Sequence, residues 1–161
     1  MNTALIDADS IIYIIAWNNR ELDSEEQVKL ECDQFLSDLL IKVQADKYAG
    51  FFTPKKTFRQ DVAKHKPYKG TRPESPEWIK KWKHVIIDHF TTKWGFYTPG
   101  NVEADDVVAV LQRVLPNTII CSPDKDLKQV PGKHYDYRKG EFAEVNAEEG
   151  ARSLWYQMLI G

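Results

Sequence analysis

Three groups of acidic residues are the part of this sequence most able to do chemistry. They are Asp7 with Asp9, Glu103 with Asp105 and Asp106, and Asp124 with Asp126. Two carboxylates about 4 Å apart repel by roughly 4 kcal/mol at an effective dielectric constant of 20, so converging acids need cations between them. Oxygen ligands without His or Cys favour Mg²⁺ or Mn²⁺ over zinc. If the fold brings the groups together, they predict a site for divalent cations.

Each acidic group also has an explanation that involves no ligand. Acids in the first turn of a helix interact favourably with the helix dipole, which would account for EADDVVAVL alone. SPDKDL fits a turn followed by a helix cap. The stronger signal is the coincidence of three such groups.

The apolar pattern predicts elements that place the groups at one edge. Helices are predicted at 10–17, from near 24 to 43, at 75–90, 103–115 and 147–160, and strands at 3–6, 48–52, 118–121 and 134–137. Continuous apolar strands that alternate with helices favour a mainly parallel sheet covered on both faces. Ligands bind such sheets beyond the carboxyl ends of the strands, where the acidic groups are expected.

Length and composition favour one compact domain over residues 1–161. The longest apolar runs are too short to span a bilayer, and the N-terminus lacks the pattern of a signal peptide. We therefore expect a cytoplasmic protein without a membrane segment, working as a monomer. The two cysteines, Cys32 and Cys121, are predicted to be small buried residues.

The charge is unevenly distributed. The net charge is −2, but residues 55–84 carry +7, which leaves −9 for the rest of the chain. A basic segment beside an acidic body suits a protein that attracts a polyanion, although a solvated surface helix would give the same pattern. Within PYKGTRPE, Lys69 and Arg72 could stabilise charge on a phosphodiester and Tyr68 could stack on a base, while an exposed loop is equally compatible.

Five motifs resemble a known family. LIDADS, KKTFR, YKGTR, EADDVVA and SPDKDLKQV occur in the order found in the 5′-nucleases, the flap endonucleases and 5′-3′ exonucleases of bacteria and bacteriophages. The resemblance covers nearly the whole chain, and EADD with DKDL is its most specific part. It implies a three-layer α/β, PIN-like fold with a mainly parallel central sheet and an arch or gateway at about 55–84.

The resemblance also implies roles for individual residues. The implied metal ligands are Asp7, Glu103, Asp105, Asp106, Asp124 and Asp126. Lys69 and Arg72 become the catalytic cations of the arch. The implied DNA contacts are Tyr68, Arg59, Lys56 and Lys66.

The implied activity is metal-dependent hydrolysis of DNA phosphodiesters near 5′ ends, by a 5′-3′ exonuclease or flap endonuclease of replication, repair or recombination. Two Mg²⁺ or Mn²⁺ ions, roughly 4 Å apart, would serve as cofactors. The expected substrates are DNA with 5′ ends or single-stranded 5′ flaps, with RNA in hybrids as a further candidate.

Three departures from the family pattern qualify this expectation. Phe52 stands where many members have an Asp, so one metal contact would be missing or supplied by Asp9. Two extra residues separate Arg59 from Tyr68. The family continues beyond a closing helix with an Asp-containing motif and a helix-hairpin-helix element, whereas this sequence ends at Gly161, so we expect a truncated chain with an incomplete second metal site and weakened duplex binding.

Two other functions fit parts of the pattern. A haloacid dehalogenase-type phosphatase also begins with a strand followed by DxDx, and Asp7 would then be a covalent nucleophile; that reading leaves EADD and YKGTR unexplained. A DNA-binding module with an incomplete metal site would show salt-dependent binding without cleavage.

Overall fold

The computed structural model of the protein describes residues 2–55 and 74–160. Its helices are α1 (Asp9–Asn18), α2 (Glu25–Val43), α3 (Glu77–Trp94), α4 (Ala104–Val114) and α5 (Ala147–Ile160). Its strands are β1 (Asn2–Asp7), β2 (Ala45–Phe51), β3 (Thr118–Cys121), β4 (Gly132–Asp136) and β5 (Glu141–Val145), and a short 3₁₀ helix covers Lys125–Gln129. Every helix and strand predicted above is present, with bounds shifted by a few residues at most.

The five strands form one sheet in the order β2-β1-β3-β4-β5. The pairs β1 with β2, β1 with β3 and β3 with β4 are parallel, and β5 pairs antiparallel with β4 at the edge. The predicted α/β class with a mainly parallel sheet is confirmed. The sequence pattern did not reveal β5, because only Val145 of that strand is buried and the apolar run of an inner strand is lacking.

Alternate residues of the central strand β1 face two separate apolar layers. Ala4 and Ile6 belong to the larger core, which α1, α2 and α3 cover, whereas Leu5 packs with Val108 of α4 and Ile120 of β3 on the other side. Helices on both faces of the sheet give the three layers predicted from the sequence.

Strand register brings the acidic groups to one edge. Asp7 at the end of β1 is opposite Phe51 at the end of β2, and Ile6 is opposite Cys121 at the end of β3. Because parallel strands end on the same side, the segments that follow β1, β2 and β3 emerge together.

The predicted start of α2 is confirmed. The Ser24 side chain accepts a hydrogen bond from the Gln27 amide at 3.2 Å, as an N-cap does. None of the helices in the described ranges is both long and apolar enough to cross a membrane. Of the predicted arch, residues 56–73 lie outside the described part of the chain, and from Glu77 onward the chain belongs to α3.

A polar cluster joins α2 to α3. The Asp33 carboxylate accepts hydrogen bonds from His89 Nε2 at 2.7 Å, Lys93 Nζ at 2.7 Å and Trp94 Nε1 at 2.8 Å. Burial alone would raise the pKa of Asp33, but the hydrogen bonds from Lys93, His89 and Trp94 outweigh it and lower the pKa to about 2. The cluster therefore fixes the two helices that cover one face of the sheet.

Replacing Asp33 by Asn should lower the free energy of unfolding by about 2 kcal/mol at pH 7, because hydrogen bonds to a charged acceptor are lost. The folded pKa is below the unfolded value of 3.8, so the carboxylate stabilises the fold above pH 4 and loses that effect as the pH falls through 2. Urea unfolding at pH 7 and pH 2.5 measures both effects. The exposed Asp38→Asn variant of the same helix is the matched control; an equal change in both variants would contradict the assignment.

Candidate metal centre

A cleft of about 300 Å³ opens at the carboxyl edge of the sheet. Its lining residues come from β1 and α1, the segment after β2, the start of α4, the segment after β3 and the turn between β4 and β5. They are Asp7, Asp9, Ser10, Thr53, Glu103, Asp105, Pro123, Asp124 and Arg138. Acids from all three sequence groups therefore line one cavity.

Asp7 and Glu103 are the two buried acids of the cleft, and Asp7 has 6% of its surface exposed. One carboxylate oxygen accepts a hydrogen bond from Ser122 Oγ at 2.9 Å, and the backbone carbonyl accepts one from Tyr137 OH at 2.7 Å. Burial, and then the charge of Asp9, raise the pKa of Asp7 to about 7, against the opposing effect of the Ser122 hydrogen bond. Ionising Asp7 therefore costs free energy that a nearby cation would offset.

The start of α4 supplies three further acids. Glu103, Asp105 and Asp106 each offer one carboxylate oxygen, and these oxygens lie within 4.8 Å of one another. Glu103 is buried and forms the N-cap position, while Asp105 and Asp106 lie in the first turn. Two or three oxygens at this spacing match the ligand geometry of a single divalent ion.

Thr53 connects Asp9 to this helix. Its amide donates to Asp9 Oδ1 at 2.8 Å and its hydroxyl donates to Asp9 Oδ2. The Ala104 amide in turn donates to Thr53 Oγ1 at 3.0 Å. Sequence reasoning missed both Thr53 and Ser122, for which the only available signal was their position directly after a strand.

Phe52 is a core residue. It is 1% exposed and contacts the rings of Phe90 and Phe96. The position at which many 5′-nucleases carry an Asp therefore offers no oxygen here. Asp9 lies in the same cleft, as required by the expectation that it supplies the missing contact.

The two acids of SPDKDL are placed differently. Asp124 lines the cleft and accepts the Asp126 amide at 2.9 Å, which caps the 3₁₀ helix. Asp126 is exposed on that helix and is not among the residues that line the cleft. The structure thus brings Asp7, Glu103, Asp105 and Asp124 together, with Asp106 beside them, and leaves Asp126 outside.

Two other site residues come from the β4–β5 hairpin. Tyr137 fixes the backbone of Asp7, and Arg138 brings a positive charge to the cleft lining. No sequence motif pointed to either as a site residue, because β5 and hence the turn between the two strands were not predicted. The predicted cations and DNA contacts lie outside the described residues: Lys56, Arg59, Lys66, Tyr68, Lys69 and Arg72.

The acids of the cleft fit a hard divalent cation. They provide oxygen donors only, from three separate segments, and Asp7 is buried where an uncompensated charge is costly. The described residues that could hold such an ion are Asp7, Glu103, Asp105, Asp106 and Asp124, with Asp9 in the same cleft.

Comparisons with known proteins agree with this architecture. The family model of the 5′-3′ exonuclease, N-terminal resolvase-like domain, matches residues 2–153. A bacteriophage T5 5′-exonuclease with bound zinc matches with a TM-score of 0.68 and 17% identity over 89% of this chain and 58% of that one. A bacteriophage T5 flap endonuclease in a pseudo-enzyme-product complex with DNA and metal ions matches with a TM-score of 0.64 and 15% identity over the same shares.

At these identities the two structures show a shared fold. The chain spans about 58% of the length of the solved proteins it matches. A search of curated protein sequences found no match.

Replacing Asp7 by Asn should stabilise the metal-free protein at pH 8, by on the order of 2 kcal/mol, because the buried carboxylate no longer has to ionise. The folded pKa of about 7 lies above the unfolded value of 3.8, so this gain should shrink as the pH falls from 7 toward 4. Urea unfolding in a chelator across this range measures it. The same variant should gain less stability than the wild type on addition of Mg²⁺ or Mn²⁺; an equal gain would remove Asp7 from the ligand set.

Proposed function

Because the chain belongs to the family of the 5′-3′ exonuclease, N-terminal resolvase-like domain, we propose that it is a divalent-metal-dependent nuclease that hydrolyses DNA phosphodiesters near 5′ ends. The observation that carries this proposal is the convergence of acids from three distant segments in one cleft. A cleft with so many carboxylates repels a phosphate unless cations lie between them. A phosphodiester would therefore bind in this cleft only with divalent ions present.

Divalent ions in this cleft would supply the positive charge that activates a water and stabilises the leaving oxygen. Asp7, Glu103, Asp105, Asp106 and Asp124 would hold them. We retain Asp126, which does not line the cleft, as a proposed ligand of the second of two ions. Mg²⁺ and Mn²⁺ are the proposed ions, since every donor is an oxygen.

The protein's own groups would orient the site. Ser122 holds one oxygen of Asp7 through a hydrogen bond, and Thr53 fixes Asp9 through both of its oxygens. Side chains held by such hydrogen bonds keep their geometry when a ligand arrives. Lys69 and Arg72, from the basic segment, would contact the phosphate and stabilise its developing charge.

The proposed substrates are DNA with 5′ ends or single-stranded 5′ flaps, and RNA in hybrids is a further candidate. The proposed setting is DNA replication, repair or recombination in the cytoplasm, with the protein acting as a monomer. The phage relative in complex with DNA supports a nucleic acid substrate for this fold. A phosphatase that uses Asp7 as nucleophile is disfavoured, because the family match is to exonucleases and Asp7 is buried.

The first experiment incubates a 5′-labelled DNA hairpin bearing a single-stranded 5′ arm with the protein and Mg²⁺ or Mn²⁺. We expect short labelled products that disappear with a chelator. Asp124→Asn should weaken cleavage at least 100-fold and should also weaken metal binding in a calorimetric titration, since it removes a ligand charge but keeps the size of the residue.

Asp46→Asn is the matched control for this variant. Asp46 is exposed near the start of β2, roughly 16 Å along that strand from the carboxyl edge, so it loses the same charge at a distance. Cleavage that is equal in Asp124→Asn and the wild type would contradict the proposal. Salt-dependent DNA binding without cleavage by the wild type would instead identify a binding module.

Lys69→Ala tests the basic segment separately. It should lower the cleavage rate at saturating DNA by 100-fold or more while leaving metal binding nearly unchanged, because an ammonium group stabilises the transition state but does not ligate the ion. Rapid-quench cleavage and metal titration measure the two effects. The Lys42→Ala variant, on the helix α2, is the control, and an unchanged rate in Lys69→Ala would exclude the role assigned to that lysine.

A further inference from the structure

Two cavities meet at the carboxyl edge of the sheet. The acidic cleft of about 300 Å³ adjoins a larger groove of about 670 Å³. Asp9, Ser10, Thr53 and Arg138 line both, so these residues mark the junction of cleft and groove. A ligand bound in the cleft can extend directly into the groove.

The groove has the character of a site for part of a nucleotide strand. Its apolar lining includes Tyr13, which is half exposed, and the half-buried Ile87, as well as the core residues Ile12, Phe52 and Ile79. The rest of the lining contains three cations, Lys55, Lys83 and Arg138, together with Asp9 and uncharged residues. Bases and sugars pack well on apolar surface, whereas phosphates require positive charge, and the groove offers both.

Arg138 stands on a well-anchored turn. Asp136 Oδ1 accepts the amides of Arg138 at 2.9 Å and Lys139 at 3.0 Å, and the Asp136 carbonyl accepts the Gly140 amide at 2.7 Å. The preceding residue, Tyr137, donates its hydroxyl hydrogen to the backbone carbonyl of Asp7. The turn is therefore tied directly to the strand that carries the central acid.

The Arg138 side chain is available to a ligand. The residue is exposed, and within residues 2–55 and 74–160 its guanidinium forms no hydrogen bond or ion pair. A guanidinium presents a planar set of donors that suits the oxygens of a phosphate. Its location between an acidic cleft and an apolar groove places that donor set where a strand would pass from one to the other.

We propose that Arg138 binds the DNA phosphate next to the scissile one and so directs the strand from the acidic cleft into the groove. This inference rests on the proposed nuclease function. It adds a substrate-binding cation from the β4–β5 hairpin, which is separate from the basic segment at 55–84 and follows it in the chain.

The test measures binding without turnover, in the presence of Ca²⁺ or a chelator. The probe is a DNA hairpin with a single-stranded 5′ arm, used unmodified and with one neutral methylphosphonate at each successive position of the arm and junction. The variants are Arg138→Gln, Arg138→Lys and, as a matched control, Arg113→Gln at the far end of α4, about 15 Å from the start of that helix.

We expect Arg138→Gln to bind the unmodified probe about 10-fold more weakly, with Arg138→Lys intermediate and Arg113→Gln within 2-fold of the wild type. At one position, or two adjacent ones, the methylphosphonate should weaken DNA binding by the wild type by a similar factor. At the same position it should cause no further loss of binding by Arg138→Gln. Thermal unfolding should be unchanged, since the side chain is exposed. A general structural defect would weaken binding equally at every position.

Three results would overturn the inference. The first is unchanged binding by Arg138→Gln, and the second is a methylphosphonate effect on affinity that adds to the effect of Arg138→Gln at every position of the probe. The third is a wild-type protein that does not bind the probe. Cleavage in Mg²⁺ is measured in parallel with the unmodified probe. Cleavage by the wild type, with methylphosphonate and Arg138→Gln effects that add at every position, would reject the role of Arg138 and keep the nuclease function. Non-additive effects at one position, without cleavage by the wild type, would reject the nuclease function and keep the contact between Arg138 and a phosphate.

Discussion

Electrostatic repulsion at the carboxyl edge of the sheet is the constraint on which the rest of this structure depends. Asp7, Glu103, Asp105 and Asp124 line one small cleft, and Asp7 is almost fully buried there. Burial and then the charge of Asp9 raise the pKa of Asp7, so ionising this acid in the metal-free cleft is costly, and each neighbouring carboxylate adds to that cost. A fold that maintains this arrangement gives up stability in the metal-free state, and a bound cation would restore it.

The fold offsets that cost with hydrogen bonds that leave the cleft open. Ser122, Thr53 and Tyr137 each donate to an acid or to its backbone from a different segment of the chain. Their hydroxyl groups satisfy some of the oxygens of these acids and restrict the positions of the carboxylates. Apolar packing on both faces of β1 holds the strand that carries Asp7, so the geometry of the site follows from the core as well as from its own hydrogen bonds.

Much of this could be predicted from the sequence, for identifiable reasons. The apolar run at Thr118–Cys121 and the helical stripe that follows Ser24 are strong local signals, and the parallel connection rule then placed the acids together. Only β4 of the β4–β5 hairpin was predicted, since Glu141–Val145 is mostly exposed and lacks an apolar pattern. Tyr137 ended the predicted strand and Arg138 followed it, and no local signal marked either residue as part of the site. Asp124 and Asp126 looked equivalent in the motif. In the structure Asp124 precedes the 3₁₀ helix and lines the cleft, whereas Asp126 lies on that helix at the surface, a difference that the sequence did not show.

Anomalous scattering from a crystal grown with Mn²⁺ shows directly whether the cleft holds divalent cations. We expect a strong anomalous peak bounded by oxygens of Asp7, Glu103, Asp105 and Asp124, at distances of about 2.1–2.2 Å, and loss of that peak in a crystal of Asp7→Asn. A wild-type crystal with ordered density for these side chains and no anomalous peak among them would contradict this expectation.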